Sequence, residues 1–179
     1  MVDGNEAVGQ RVDARTLRLE RMLDAPVDAV WPYLIDPDLR ARWFMGGPVD
    51  ARPGGTITFR IDHDSISTEP GEAPAWYRAA AGASFGQTVL AIDPPHMLRF
   101  DWDGGSEVTF TLEPVGARTR FTILHEKVKD GAAMADFSGG WHTHSLVLAI
   151  IMAGRQPGNF WKLHEGVDAL YAGMNEDAP

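Results

Sequence analysis

Four segments of this chain alternate apolar and polar residues with a period of two, and that pattern constrains the fold more than any other feature of the sequence. Residues 56–61 set Ile57, Phe59 and Ile61 against Thr56, Thr58 and Arg60. Leu98, Phe100 and Trp102 alternate with Arg99 and Asp101, and Val108, Phe110 and Leu112 with Thr109, Thr111 and Glu113. Phe121 and Ile123 alternate with Arg120 and Thr122, while Val89 to Ile92 reads as a further strand ended by Asp93-Pro94-Pro95. Pro53-Gly54-Gly55, Gly104-Gly105 and Gly116-Ala117 fall where tight turns are needed. The spacing predicts an antiparallel meander of five strands with one apolar and one wet face.

That apolar face needs a cover. The longest apolar run, Leu146 to Ala153, is eight residues. As a helix it spans about 12 Å, well short of the roughly 20 residues a membrane requires, so it reads as a buried helix segment. The helix is expected from Trp141 to Gly154, with Trp141, Ser145, Leu148 and Met152 on one stripe and Val147, Ile150 and Ile151 making it apolar nearly all round. Residues 154–158 (GRQPG) break it. Asn159 then caps an additional helix over 159–174, where Phe160, His164, Val167, Tyr171 and Met174 form a stripe expected to lie against the first helix of the chain.

Ahead of the meander, Thr16 to Leu23 alternates as a strand. Pro26, Asp28, Val30, Trp31, Leu34 and Ile35 indicate a short helix that Pro32 should kink. Asp36-Pro37 starts a second, with Leu39 and Trp43 four apart. Residues 1–15 read as a short disordered lead-in without a secretory pattern, and 16–174 as one α+β domain. Residues 63–87 read as a long loop, and a loop of that length in a compact domain is a lid, a binding loop or disordered.

Composition removes several function classes. The 179-residue chain has no cysteine, which excludes disulfides, thiolate nucleophiles and zinc sites of the cysteine type. Its net charge of -9 argues against nucleic acid as a partner. A cytoplasmic protein without cofactor or metal, monomeric or homodimeric, is the expectation.

Seven pieces of the sequence, in order, resemble a known group: residues 24–31 (DAPVDAVW), 36–44 (DPDLRARWF), 52–59 (RPGGTITF), 92–100 (IDPPHMLRF), 106–114 (SEVTFTLEP), 118–126 (RTRFTILHE) and 140–141 (GW). Together they resemble the START-like, or SRPBCC, superfamily, within it the branch of activator of heat-shock-protein ATPase homologue-like proteins. The resemblance implies a helix-grip fold, in which a curved antiparallel sheet wraps a long carboxy-terminal helix. It also implies an apolar ligand cavity between the two. The insertion at 63–87 departs from the family pattern, and the chain has no room for the additional domain of the eukaryotic co-chaperones.

No nucleophile elbow, phosphate loop, zinc-protease motif or dinucleotide fingerprint is present. Function therefore rests on what lines the cavity. The residues expected there are Trp43, Phe59, Trp76, Tyr77, Phe100, Trp102, Phe110, Ile123, His125, Trp141, His144 and Leu148. His125 continues the inward phase of Phe121 and Ile123 and is the one candidate for acid/base chemistry, against the plainer reading of a satisfied strand-end histidine. His142 and His144 lie two apart and so cannot chelate one ion; His144 is expected toward the cavity and His142 toward solvent. Three functions follow: binding of a small hydrophobic or aromatic molecule; a polyketide cyclase or dehydratase-like enzyme using His125; and a protein-interaction or co-chaperone-like module.

Overall fold

The computed structural model describes residues 9–171. The amino-terminal residues Met1 to Val8 and the carboxy-terminal part of the expected last helix, including Met174, lie outside this range. The alternating segments form the meander as expected: β3 (Thr56–Arg60), β4 (Ser84–Asp93), β5 (Met97–Asp101), β6 (Glu107–Val115) and β7 (Arg118–Glu126). Two further strands extend it, β1 (Gln10–Asp13) and β2 (Thr16–Leu23). The result is one seven-stranded antiparallel sheet in the order β1-β2-β7-β6-β5-β4-β3. Residues 10–13 are thus a strand, paired with β2 through Gln10 opposite Arg18, where the sequence suggested only a lead-in. Register holds the alternation in phase, with Phe110 opposite Ile123 and Leu98 on the sheet's apolar face.

Between β2 and β3 come α1 (Val27–Val30), α2 (Pro32–Ile35) and α3 (Pro37–Ala41). The kink expected at Pro32 divides one helix into two, with Trp31 ending α1 and preceding Pro32 at the first position of α2. Asp36 caps α3 by accepting from the Asp38 and Leu39 amides at 3.0 and 2.9 Å. Arg40 of α3 is fully buried. Its guanidinium donates to the carbonyls of Met45, Gly47 and Thr58 and sits over the Phe59 ring, tying the turn after α3 to β3.

The long helix α5 (Gly131–Met152) starts ten residues before the apolar stripe that announced it. Asp130 caps it by accepting from the Ala133 amide at 2.9 Å, and the alanine-rich first turns carry it through Ser138-Gly139-Gly140. The last helix, α6 (Phe160–Tyr171), packs on α5 and on the insertion, not on α1 as the stripe suggested. Asn159 caps it, its Oδ1 accepting from the Lys162 amide at 2.9 Å. The insertion is structured: a 3₁₀ turn over His63–Ile66, then α4 (Ala75–Ala80), and from Ser84 it is already strand β4.

Candidate functional site

Asp136, Gly140 and His144 recur every four residues along α5 and therefore share one face of it. Opposite them α6 contributes Phe160, Trp161 and His164, while His63 of the 3₁₀ turn and Trp76 of α4 close the remaining sides. These eight residues enclose a pocket of about 430 Å³. Gly140 is what opens it: a methyl group built there meets nothing within 4 Å. A second hollow of about 540 Å³ adjoins this one, shares Trp76, Trp161 and His164 with it, and adds Glu72, Arg78 and Lys162.

The walls are held by the insertion, which straps down the start of α6. The Thr68 amide donates to the Gly158 carbonyl and the Phe160 amide to Ser67 Oγ. Asn159 Nδ2 donates to the Pro70 carbonyl at 2.8 Å, over Gly71, where a Cβ would stand 1.7 Å from that nitrogen. Trp161 Nε1 donates to Asp64 Oδ1 at 2.8 Å, and the Tyr77 ring lies 4.5 Å from the Trp161 ring, centroid to centroid. The Tyr77 hydroxyl in turn accepts from the His63 amide.

Three imidazoles face this space, and the burial of two of them sets their charge. His144 Nδ1–H donates to the Trp43 carbonyl at 2.7 Å, which fixes the tautomer and leaves Nε2 as the nitrogen available in the pocket. Burial, with the neighbouring His63 adding to it, holds His144 well below the usual histidine pKa. Burial and the nearby His164 lower His63 to about 4, against the opposing pull of Asp64 and Asp62. The two rings stand edge to face with centroids 4.8 Å apart. Thr143 donates its hydroxyl proton to the Gly139 carbonyl, so the His164 Nδ1 that lies 3.0 Å from Thr143 Oγ1 is the donor of that bond.

Of the residues expected at a ligand site, the structure brings Trp76 and His144 together at the pocket. Trp76 is 64% exposed; its neighbour Tyr77 is buried and supports the wall from behind. Trp43, Phe59, Phe100, Trp102, Phe110, Ile123, Trp141 and Leu148 pack between the sheet and α5. There the rings meet each other, Phe110 at 5.6 Å and Trp102 at 5.7 Å from Trp141. His125 is in this layer and fully buried, with both nitrogens taken. Trp141 Nε1–H donates to its Nδ1 at 3.0 Å, so its own proton is on Nε2, which donates to Ser106 Oγ at 2.9 Å. Ser106 passes its proton to the Asp103 carbonyl. Burial lowers His125 to about 4, and it has no free nitrogen with which to act as acid or base.

His142, expected at the surface, is buried. The Tyr171 side chain of α6 covers it, Nδ1 and the phenol oxygen hydrogen-bonding at 2.8 Å. His63, Asp136, Gly140, Phe160, Trp161 and His164 join the site without having been expected there from the sequence. Starting α5 at Asp130 would have aligned Asp136, Gly140 and His144, and the Phe160 and His164 stripe already marked the facing side. Among the described residues no group of three His, Asp or Glu side chains is placed to hold a metal ion, and no helix is long and apolar enough to cross a membrane.

A sequence profile of the family described as Activator of Hsp90 ATPase homolog 1-like protein matches residues 24–153. The chain is similar to a Bordetella parapertussis protein solved by NMR in solution, with 35% identity over 96% of this chain and 94% of that one, at a TM-score of 0.77. It shares its fold with CalU16 from Micromonospora echinospora (21% identity, all of both chains, TM-score 0.69). The same holds for DynU16, described as a protein in the dynemicin biosynthetic locus (22% identity, 83% of this chain and 51% of that one, TM-score 0.62). No curated protein matches the sequence.

Proposed function

The chain belongs to the Activator of Hsp90 ATPase homolog 1-like family, and from that premise we propose that it binds a small, largely aromatic molecule in the pocket between α5 and α6. The observation that carries this reading is the lining itself: the rings of Trp76, Phe160 and Trp161 around a space of about 430 Å³, bordered also by His63, His144, His164 and Asp136. That mixture is the usual make-up of a small-molecule site. Burial of one aromatic ring system against such walls supplies most of the affinity, and the imidazoles supply orientation. That one relative of the same fold is encoded in a biosynthetic locus is in keeping with a small-molecule ligand. The ligand site of this reading is on the α6 side of α5, beside the sheet-facing layer in which the family resemblance suggested it.

Calorimetric titration with naphthalene-sized aromatic compounds tests the reading, using wild type and a Gly140→Leu variant. A Cβ at 140 meets nothing within 4 Å, so leucine there projects into the pocket. Saturable one-to-one binding by wild type, reduced at least tenfold in the variant, is expected. Equal binding by both proteins contradicts the assignment.

A further inference from the structure

The His63 and His144 imidazoles offer unlike groups to the same space. His144 has its N–H committed to the Trp43 carbonyl, so its Nε2 presents a lone pair. His63 is the reverse case. Its Nδ1 is buried without a hydrogen-bond partner, which shields that nitrogen from any pocket molecule. An orphaned buried N–H is the rarer defect, so the ring proton belongs on Nε2. One lone pair and one N–H, on rings 4.8 Å apart, therefore border the pocket together.

We infer that this pair selects the polar edge of the ligand: a planar aromatic molecule carrying a hydrogen-bond donor and an acceptor side by side, as in a carboxamide or lactam. The donor of such an edge meets His144 Nε2 and its carbonyl oxygen meets the His63 N–H. A carboxylate has two acceptors and no donor, so one of its oxygens would face the His144 lone pair. A plain hydrocarbon leaves both nitrogens dry and unpaired, which a site with buried polar groups penalises. The inference rests on the pocket assignment above, and it concerns only the chemistry that the two histidines read.

Three probes of equal shape separate the possibilities: naphthalene-2-carboxamide, 2-naphthoate and 2-methylnaphthalene, with affinities measured by ligand-observed NMR at pH 7.5. The carboxamide should bind at least tenfold more tightly than the other two. His63→Phe and His144→Phe should each remove that advantage while 2-methylnaphthalene binding persists. Equal affinities, or 2-naphthoate binding best, overturn the inference and leave the pocket standing. Failure of all three to bind wild type overturns the pocket assignment and the inference with it. A two-bond ¹H–¹⁵N spectrum of unliganded wild type gives an answer that does not depend on variant folding. The inference requires the Nε2–H tautomer at His63 and the Nδ1–H tautomer at His144, and any other state of either ring contradicts it.

Discussion

Trp141 Nε1–H donates to His125 Nδ1 across 3.0 Å, so the middle of α5 is hydrogen-bonded to the end of β7 inside the core. The bond sets the His125 tautomer and passes the proton order on to Ser106 and Asp103. Both His125 nitrogens are thus engaged within the core. Replacing it with phenylalanine leaves the indole N–H and the Ser106 hydroxyl without their partner, a loss of about 2 kcal/mol. Urea unfolding of His125→Phe should show that loss while calorimetry shows unchanged affinity for the aromatic probe. A variant of full stability that no longer binds would return His125 to the site.

Stability should fall with acid in a range set by histidines. His63, His125 and His142 are all held near 4, chiefly by burial, whereas an unfolded histidine titrates near 6.5. Between those values the unfolded chain binds protons that the folded chain does not, so unfolding takes up protons and stability rises with pH. The stability is fully present above about 6.5 and is lost as pH falls toward 4. The urea midpoint should be level between pH 7 and 8 and decline steadily from 6.5 to 4.5. The decline should be shallower in His125→Phe, which removes one of the protons.

Gly140 combines a helical position with open space in front of its Cα. Alanine there should stabilise the protein by about 0.5–1 kcal/mol, because glycine in a helix interior costs that much in chain entropy. Thermal unfolding of Gly140→Ala checks this. A lower melting temperature would mean that the face of α5 at 140 is closed in solution.

Gly71 is required by the close approach of Asn159, whose side-chain nitrogen occupies the space of a Cβ. Gly71→Ala should push the strap over residues 67–71 away from the start of α6. Hydrogen exchange of the Thr68 and Phe160 amides, both bonded across that contact, should speed up, and probe affinity should drop severalfold. Unchanged exchange at both amides would show that the strap does not depend on this contact.

How much of this was legible in the sequence depended on which residues carried a period. The strands were legible because Phe59, Phe100, Phe110 and Phe121 recur in phase with their neighbours, and the sheet buries all four. Two charged residues buried in the core, Arg21 and Arg40, show the limits of reading by type. Arg21 sits on the inward phase of β2 with Leu19 and Leu23, and its Nε donates to Ser145 Oγ at 3.1 Å. Phase alone would have placed it. Arg40 has no such signal, since the carbonyls that satisfy it come from an irregular turn and from Thr58 of β3. The site was less legible for the same reason. Its walls meet through the fold, with His63 and Phe160 nearly a hundred residues apart in the chain and their rings 5.3 Å apart in space. The insertion carried no alternation, and only its contacts to α6 give Trp76 and Tyr77 their roles.

Chemical-shift mapping during titration with naphthalene-2-carboxamide tests whether the ligand lies between α5 and α6. Binding there should give saturable shifts at the side-chain nitrogens of His63 and His144 and at the indole N–H of Trp161, with the methyl groups of Ile123 and Leu148 unmoved. Shifts centred on Ile123, Leu148 and the Trp141 indole, with His63 and Trp161 silent, would place the ligand between the sheet and α5 and contradict it.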